Sequence, residues 1–202
     1  MKKITLLFIM LIGLIGIQTN AQSAKEMLAE IEGKWELDNN NNVTFVRVIE
    51  APGISKEDIY NRALNYFTYN YGSGKSVIQT QDKESGLVVG KGIYKDVHIG
   101  MSLITTYVDA WHILRVDAKD GKARAIITLT QYEKKITGGN TPPNYSTEDI
   151  ASTYPINPKG NQKTIMTKAF YKTYQRAYKT LDSLERTILE GSTSKSIEND
   201  DW

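Results

Sequence analysis

The chain has 202 residues, with 25 basic and 23 acidic side chains, two histidines and no cysteine. This length suits one ordinary domain, and a hydrophobic fraction of 40% is enough to build a core. The lack of cysteine excludes disulfides, thiol nucleophiles and thiolate metal sites. A net charge of +2 argues against a strongly basic nucleic-acid-binding protein.

The N-terminus, residues 1–21, has the pattern of a signal peptide. Lys2 and Lys3 precede a mainly apolar stretch at 4–17, and Thr19-Asn20-Ala21 places small residues ahead of Gln22. A transmembrane helix needs about 20 apolar residues, so we predict cleavage instead of an anchor. Removing two of the 25 basic residues leaves 23 against 23 acidic ones. The mature protein is therefore expected to be close to neutral, without a transmembrane anchor, and periplasmic or extracellular.

Residues 22–42 are predicted to form an N-terminal helix and a linker. Met27, Leu28 and Ile31 have near-helical spacing, and Gly33 is a suitable helix stop. Asp38 is followed by four consecutive asparagines, which is typical of a turn. We place the main domain boundary at this polar run.

The segment 43–133 carries the signals of one α+β domain. Residues 43–49 are rich in β-branched side chains and predict a strand, and Ser55 begins a helix with apolar residues at intervals of four. The β-type stretches that follow are 77–81, 87–95, 103–116 and 122–132. Turn residues at 84–86 and 120–121 suggest that neighbouring stretches form hairpins.

The C-terminal third is predicted as a loop, a long helix and a tail. Residues 134–161 contain four of the five prolines and show no clear period, which predicts a loop. The helix at 162–190 would be about 43 Å long, so its C-terminal end is expected to overhang the sheet. Residues 191–202 are polar and are predicted to be a flexible tail.

These elements predict an α+β fold with a single antiparallel sheet of about five strands. Short turns between consecutive strands favour antiparallel pairing, and the two helices then pack on one face of the sheet. The predicted order is β-α-β-β-β-β-α.

Several stretches resemble one family of secreted bacterial proteins. They are Lys34-Trp35-Glu36-Leu37, Ser55 to Asn65, Ser76 to Lys83, Gly90-Lys91-Gly92 and His98 to Leu103. Together they resemble domain-of-unknown-function family 4468, described as TBP-like, and the element order is shared by half-repeats of the TATA-binding protein. The resemblance covers residues 43–133 well and the last helix loosely. It implies the fold but no catalytic residues, because a shared fold does not imply a shared function.

No set of residues forms a complete catalytic, nucleotide-binding or metal-binding motif. The segment 72–76 ends like a phosphate-binding loop, but it lacks the first glycine and follows a helix instead of a strand. His98 and His112 have no evident third ligand for a metal, and the sequence has no G-x-S-x-G or H-E-x-x-H. We therefore predict no cofactor and no metal, and the sequence favours a role other than catalysis.

The stretch 103–116 predicts a buried and an outward face. Its even positions form the apolar series, so His112 is expected in the core. The odd positions, with alternate positions of the next strand, present a candidate binding surface: Tyr107, Trp111, Arg115, Arg124 and Tyr132. Aromatic and arginine side chains are enriched at binding interfaces. The alternative is that residues 134–161, or the segment around Trp35, cover this face as a second small core.

The last helix is basic over most of its length. Five of its six basic residues lie between 163 and 179, and no acidic residue precedes Asp182. Either this is a solvated face whose lysine stems cover tyrosine rings, or it contacts a membrane surface or an anionic polymer.

The function that the sequence favours is a non-catalytic binding or interaction module of the cell envelope. It would bind an envelope protein or a glycan, through the open sheet face or the overhanging helix, and no nucleic acid is expected as a partner. One alternative is a hydrolase that uses Asp and His groups from separate strands. The other is a structural envelope protein that self-associates.

Overall fold

A computed structural model describes residues 22–71, 77–101, 103–138 and 141–191. The predicted signal peptide, the segment 72–76 and the tail from 192 onward lie outside the described residues. In chain order, the elements are α1 (Ala24–Glu30), β1 (Glu36–Leu37), β2 (Val43–Glu50), α2 (Lys56–Asn70), β3 (Ile78–Asp82), β4 (Leu87–Met101), β5 (Thr105–Lys119), β6 (Lys122–Gly138), β7 (Thr141–Asp149), a 3₁₀ helix (Ile150–Ser152) and α3 (Lys163–Glu190).

The strands form one antiparallel sheet, which confirms the predicted α+β class. Its order is β1-β2-β6-β5-β4-β3, and β7 pairs with β6. The sheet has seven strands and not about five. The two additional strands are β1, which is only two residues long, and β7, which lies in the predicted loop.

The prediction of a loop at 134–161 is wrong for its first half. β6 continues to Gly138, and β7 pairs with it from Thr141 to Asp149. Pro142 and Pro143 suggested a loop, but the register between β6 and β7 shifts at this point and neither proline has a pairing partner in the ladder. An edge strand tolerates proline here because a missing N–H costs no ladder hydrogen bond.

The N-terminal segment packs against the rest of the fold and is not set apart by a linker. Ser23 and Glu26 form a capping box that starts α1, and Ile31 at its end is completely buried. Trp35 packs edge-on against Phe170 of α3 with 5.5 Å between ring centroids. Asp38 accepts hydrogen bonds from Asn40 and Asn42, so the asparagine run is the turn between β1 and β2.

The long helices α2 and α3 lie on one face of the sheet and bury its apolar side chains there. Phe67 and Tyr71, at the end of α2, lie directly on β4, where a Cβ at Gly90 would be 2.5 Å from the Phe67 ring. Gly90 and Gly92 are therefore needed for close approach of aromatic rings to the strand. No helix of the described part is long and apolar enough to span a membrane.

The C-terminal end of α3 does not overhang the sheet. Leu184 and Ile188, in its last two turns, are completely buried. Arg62 of α2 donates hydrogen bonds to the carbonyl oxygens of Ile188 and Leu189, and Arg47 of β2 forms ion pairs with Asp182 and Glu185. This corrects the expectation of a free helix end as a binding element.

Candidate functional site on the open face of the sheet

The face of the sheet opposite the helices, which we call the open face, is the candidate site. Trp111 and Tyr107 are half-buried, whereas His112 on the neighbouring position is completely buried. Residues 141–149 extend the sheet sideways as β7 instead of lying across this face. The alternative in which 134–161 or the Trp35 segment covers the surface is therefore not what the structure shows.

Four of the five predicted surface residues lie on the open face, and Tyr132 does not. Tyr132 is completely buried among the core residues. The reason is a bulge in β6: Trp111 pairs with Gln131 and His112 pairs with Leu129, so Thr130 is an extra residue. The bulge reverses the alternation of β6. Before it, the odd positions from 123 to 129 face the helices, and after it, the even positions 132 and 134 do.

Trp111 and Tyr107 each have a lysine over the ring. The Lys91 ammonium lies 4.6 Å from the Trp111 ring centroid, and that of Lys135 lies 5.4 Å from the Tyr107 centroid. The Trp111 indole N–H donates to Glu133 at 3.0 Å. These contacts fix the orientation of the rings while leaving part of each accessible.

The two predicted arginines share one carboxylate. Arg115 and Arg124 both donate to Asp117, at N–O distances of 2.7 and 3.0 Å. Partial burial raises the pKa of Asp117, but the hydrogen bonds and charges of the two arginines outweigh burial, and the net shift is downward. Since all three residues lie on neighbouring rungs of β5 and β6, this cluster has a fixed place on the open face.

The open face also has an aliphatic part, which was not among the residues predicted from the sequence. Val46 and Val48 of β2 are 48% and 55% exposed. Val46 pairs with Ile126, and Ile126 pairs with Arg115, so these side chains form one row across three strands. Ile113 is half-buried on the next row. The signal was in the sequence, because Val46 and Val48 alternate with the core positions Phe45 and Ile49 and are themselves apolar.

A shallow depression lies at the end of the open face nearest β7. It has a volume of about 400 Å³ and is bounded by aromatic and charged residues. Its lining is Lys95, Asp96, Tyr107, Asp109, Glu133, Lys135 and Tyr145. Lys95 Nζ donates to Asp109 at 2.7 Å, and the Asp96 backbone N–H donates to the same carboxylate. Such a depression offers hydrogen-bond donors, acceptors and ring faces to a small polar ligand.

The two histidines lie on the helix side of the sheet. As predicted, His112 is a hydrogen-bonded core residue: its Nε2 lies 3.0 Å from the Tyr71 hydroxyl, and its ring stacks on Tyr94. Burial lowers the pKa of His112 to about 3, so its ring is neutral at physiological pH. Burial and the charge of Lys168 lower the pKa of His98. The hydrogen-bond partner of His112 is therefore a tyrosine and not a carboxylate.

Within the part of the chain that the structure describes, no group of three or more His, Asp or Glu residues could hold a metal ion. The structure therefore describes a sheet whose open face has aromatic, arginine and aliphatic side chains, and whose other face is a packed core.

The fold is TBP-like, and the resemblance noted in the sequence is confirmed. Residues 45–133 match the family described as "Domain of unknown function (DUF4468) with TBP-like fold". No curated protein matches the chain.

Two crystal structures of bacterial proteins are similar to the chain. One is a TBP-like protein from Parabacteroides distasonis ATCC 8503, with a TM-score of 0.54, 12% identity, and coverage of 75% of this chain and 96% of that chain. The other is a DUF4468 family protein from Bacteroides ovatus ATCC 8483, with a TM-score of 0.47, 15% identity, and coverage of 76% and 91%. The likeness to the first supports the fold and says nothing of function.

Proposed function

We propose that this protein is an exported, non-catalytic binding module of the cell envelope, and that its open face binds a partner protein. The observation that carries the proposal is the exposure of Val46 and Val48 beside the half-buried Ile113, Ile126 and Trp111 on one continuous face. A row of aliphatic side chains next to an aromatic ring and two arginines has the composition of a protein interface.

The charged groups of this face favour a binding role over a purely structural one. Asp117 holds the two arginines in place, and Lys91 lies over the Trp111 ring. All of these side chains are at least partly accessible, so a partner can replace one contact with another at low cost. Fixed, accessible aromatic and arginine groups are the residues that dominate binding energy when an interface forms.

Site-specific photo-crosslinking in intact cells tests this function. A photoreactive amino acid at Val46 is expected to give a discrete protein adduct, because this side chain lies on the open face. The matched control is the same group at Tyr69, which is 65% exposed on the outer side of α2. An adduct at Val46 that disappears in the Trp111→Ala background supports the proposal. Equal labelling at both positions, or none at Val46, contradicts it.

A glycan is the second candidate partner, and the depression at Tyr107 and Tyr145 is the observation that favours it. Tyr145 is 61% exposed, and the carboxylates of Asp109 and Glu133 lie in the same lining. Retention of the protein on an immobilised envelope polysaccharide fraction, and its loss in Tyr107→Ala, would support a glycan. Retention that is unchanged in Tyr107→Ala would exclude this depression as the glycan site.

Export is proposed on the pattern of residues 1–21. Cell fractionation should recover the protein outside the cytoplasm, and its intact mass should correspond to a chain that begins at Gln22. A cytoplasmic protein that retains Lys2 and Lys3 would contradict export.

A further inference from the structure

The far end of strands β4 and β5 stands out by its exposed apolar side chains. It is the end of the β4–β5 hairpin, which we call the apolar apex and define as Ile99, Met101, Leu103 and Ile104. Leu103 is 99% exposed and Met101 is 84% exposed. The end of the neighbouring β6–β7 hairpin lies against it, since a Cβ at Gly138 would be 2.8 Å from Ile104.

The position of the apex in the fold keeps these side chains outside the core. β3 pairs with β4 only as far as Gly90, so the later part of β4 is an edge of the sheet among the described residues. A leucine and a methionine that remain this exposed at a hairpin end bring little stability to the folded chain. Exposed apolar groups gathered in one place mark a contact with a protein or a membrane.

Basic side chains of α3 lie next to the apex and favour an anionic partner. A depression of about 520 Å³ joins the two: Ile99 and His98 line it from β4, and Lys168 and Lys172 line it from α3. Asp96 is the one carboxylate in this lining. The basic segment of α3 continues to Lys179 without an acidic residue. The surface therefore combines a protruding apolar tip with a ridge of positive charge.

An apolar tip beside a basic ridge is typical of proteins that bind lipid surfaces. Peripheral membrane binding adds the burial of apolar side chains in the headgroup region to the attraction of lysines for anionic lipids. A single hairpin end with two long, unbranched or γ-branched side chains has a shape suited to insertion between lipid headgroups. A protein partner of this tip would need a pocket as well as a matching acidic surface.

We propose that the apolar apex docks on an anionic lipid surface, with Met101 and Leu103 inserted at the headgroup level and Lys168 and Lys172 over the lipid phosphates. The apex adjoins the open face, since Ile99 pairs with Tyr107 and Met101 with Thr105. It shares no residue with the surface of Val46, Val48 and Trp111, so vesicle binding and crosslinking at Val46 can fail separately.

Co-sedimentation with lipid vesicles tests the proposal. Wild-type protein and variants are purified from the same exporting host, and their masses are compared so that all share one N-terminus. Wild-type protein should bind vesicles of phosphatidylcholine with about 30% phosphatidylglycerol, and it should bind vesicles of phosphatidylcholine alone more weakly. Binding should weaken as salt is raised to about 0.5 M, because screening removes the contribution of the lysines.

Two double variants separate the apolar and the charged contributions. Met101→Ser with Leu103→Ser should weaken binding by at least about tenfold at low salt, since both apolar side chains are lost. Lys168→Gln with Lys172→Gln should weaken it by about fivefold for each lysine and flatten the salt dependence. Because all four side chains are exposed, the variants should keep the circular dichroism spectrum and melting temperature of the wild type.

Tyr69→Ser is the matched control, since it removes an exposed aromatic side chain from α2. It should bind vesicles as the wild type does. The proposal is overturned if wild-type protein stays in the supernatant with anionic vesicles, or if the Met101/Leu103 variant binds as well as the wild type. It is also overturned if light scattering shows a dimer that this variant dissociates while vesicle binding is absent, since the apex would then join two copies.

Discussion

The two faces of the sheet are formed by alternate residues of the same strands, but their polar groups are satisfied in different ways. On the helix side, the buried His112 bonds the partly buried Tyr71 hydroxyl, and the buried Tyr94 donates to the partly buried Thr180 of α3 at 2.9 Å. On the open face, Asp117 binds two arginines whose side chains are about half exposed. The polar groups buried on one face have single partners next to the core, and the carboxylate on the other face has two solvated partners.

This difference indicates where a substitution should affect stability and where it should affect binding. A buried polar group that loses its partner keeps the full cost of its removal from water. An exposed ion pair can be replaced by water with little loss. The open face is thus free to change partners without unfolding the protein, whereas the covered face is not. Three predictions test this contrast.

The largest effect is expected for Phe67→Ala on the covered face. The Phe67 ring is completely buried and lies on Gly90, so its removal leaves a cavity between α2 and β4. Such a substitution typically lowers the free energy of unfolding by about 3–5 kcal/mol. Urea unfolding followed by circular dichroism measures the change.

The control for this prediction lies two residues further along the same helix. Tyr69 is mostly exposed, so Tyr69→Ala should change the free energy of unfolding by less than about 0.5 kcal/mol. Equal losses in the two variants would show that α2 is not packed on β4 as described.

The next effect concerns acid stability and depends on His112. Its folded-state pKa is lowered from 6.5 to about 3, with burial as the main cause. Between these values the unfolded chain binds a proton that the folded chain does not. The free energy of unfolding therefore falls as pH is lowered through this window, by up to about 1.4 kcal/mol per pH unit.

Replacing His112 by Gln isolates this contribution from that of the carboxylates. His112→Gln should be less stable at pH 7, because the ring stacking on Tyr94 is lost, but its stability should decline less steeply between about pH 6 and pH 4. Parallel slopes for the wild type and the variant would contradict a buried, neutral histidine. Urea midpoints at each pH give the comparison.

Much of the fold could be predicted because hydrophobic alternation and turn residues act locally. The helix that begins at Ser55, the turn at Gly121 and the core position of His112 all follow from neighbouring residues in the sequence. β7 could not be predicted in this way. Its stability comes from pairing with β6, a non-local contact, and its two prolines are unfavourable anywhere except at an edge or a bulge.

The candidate site could be predicted only as far as strand alternation holds. Arg124, and Ile126 with which Arg115 pairs, come before the bulge in β6, so both arginines lie on the predicted face. Tyr132 comes after the bulge and points into the core. A one-residue bulge has no strong local signal, since Thr130 is an ordinary strand residue. The apolar apex was also missed, because an exposed leucine cannot be told from a buried one by residue type.

The smallest effect is expected for Asp117→Asn on the open face, and it is the sharpest test of the contrast between the faces. The substitution removes the charge that Arg115 and Arg124 share, but both guanidinium groups remain accessible to water. The free energy of unfolding should therefore fall by no more than about 1 kcal/mol, and less at high salt. Val46→Ala, on the same face and without charge, is the matched control for salt dependence. A loss as large as that of Phe67→Ala would mean that the Asp117 cluster supports the fold, and that the open face is not free to exchange its contacts for those of a partner.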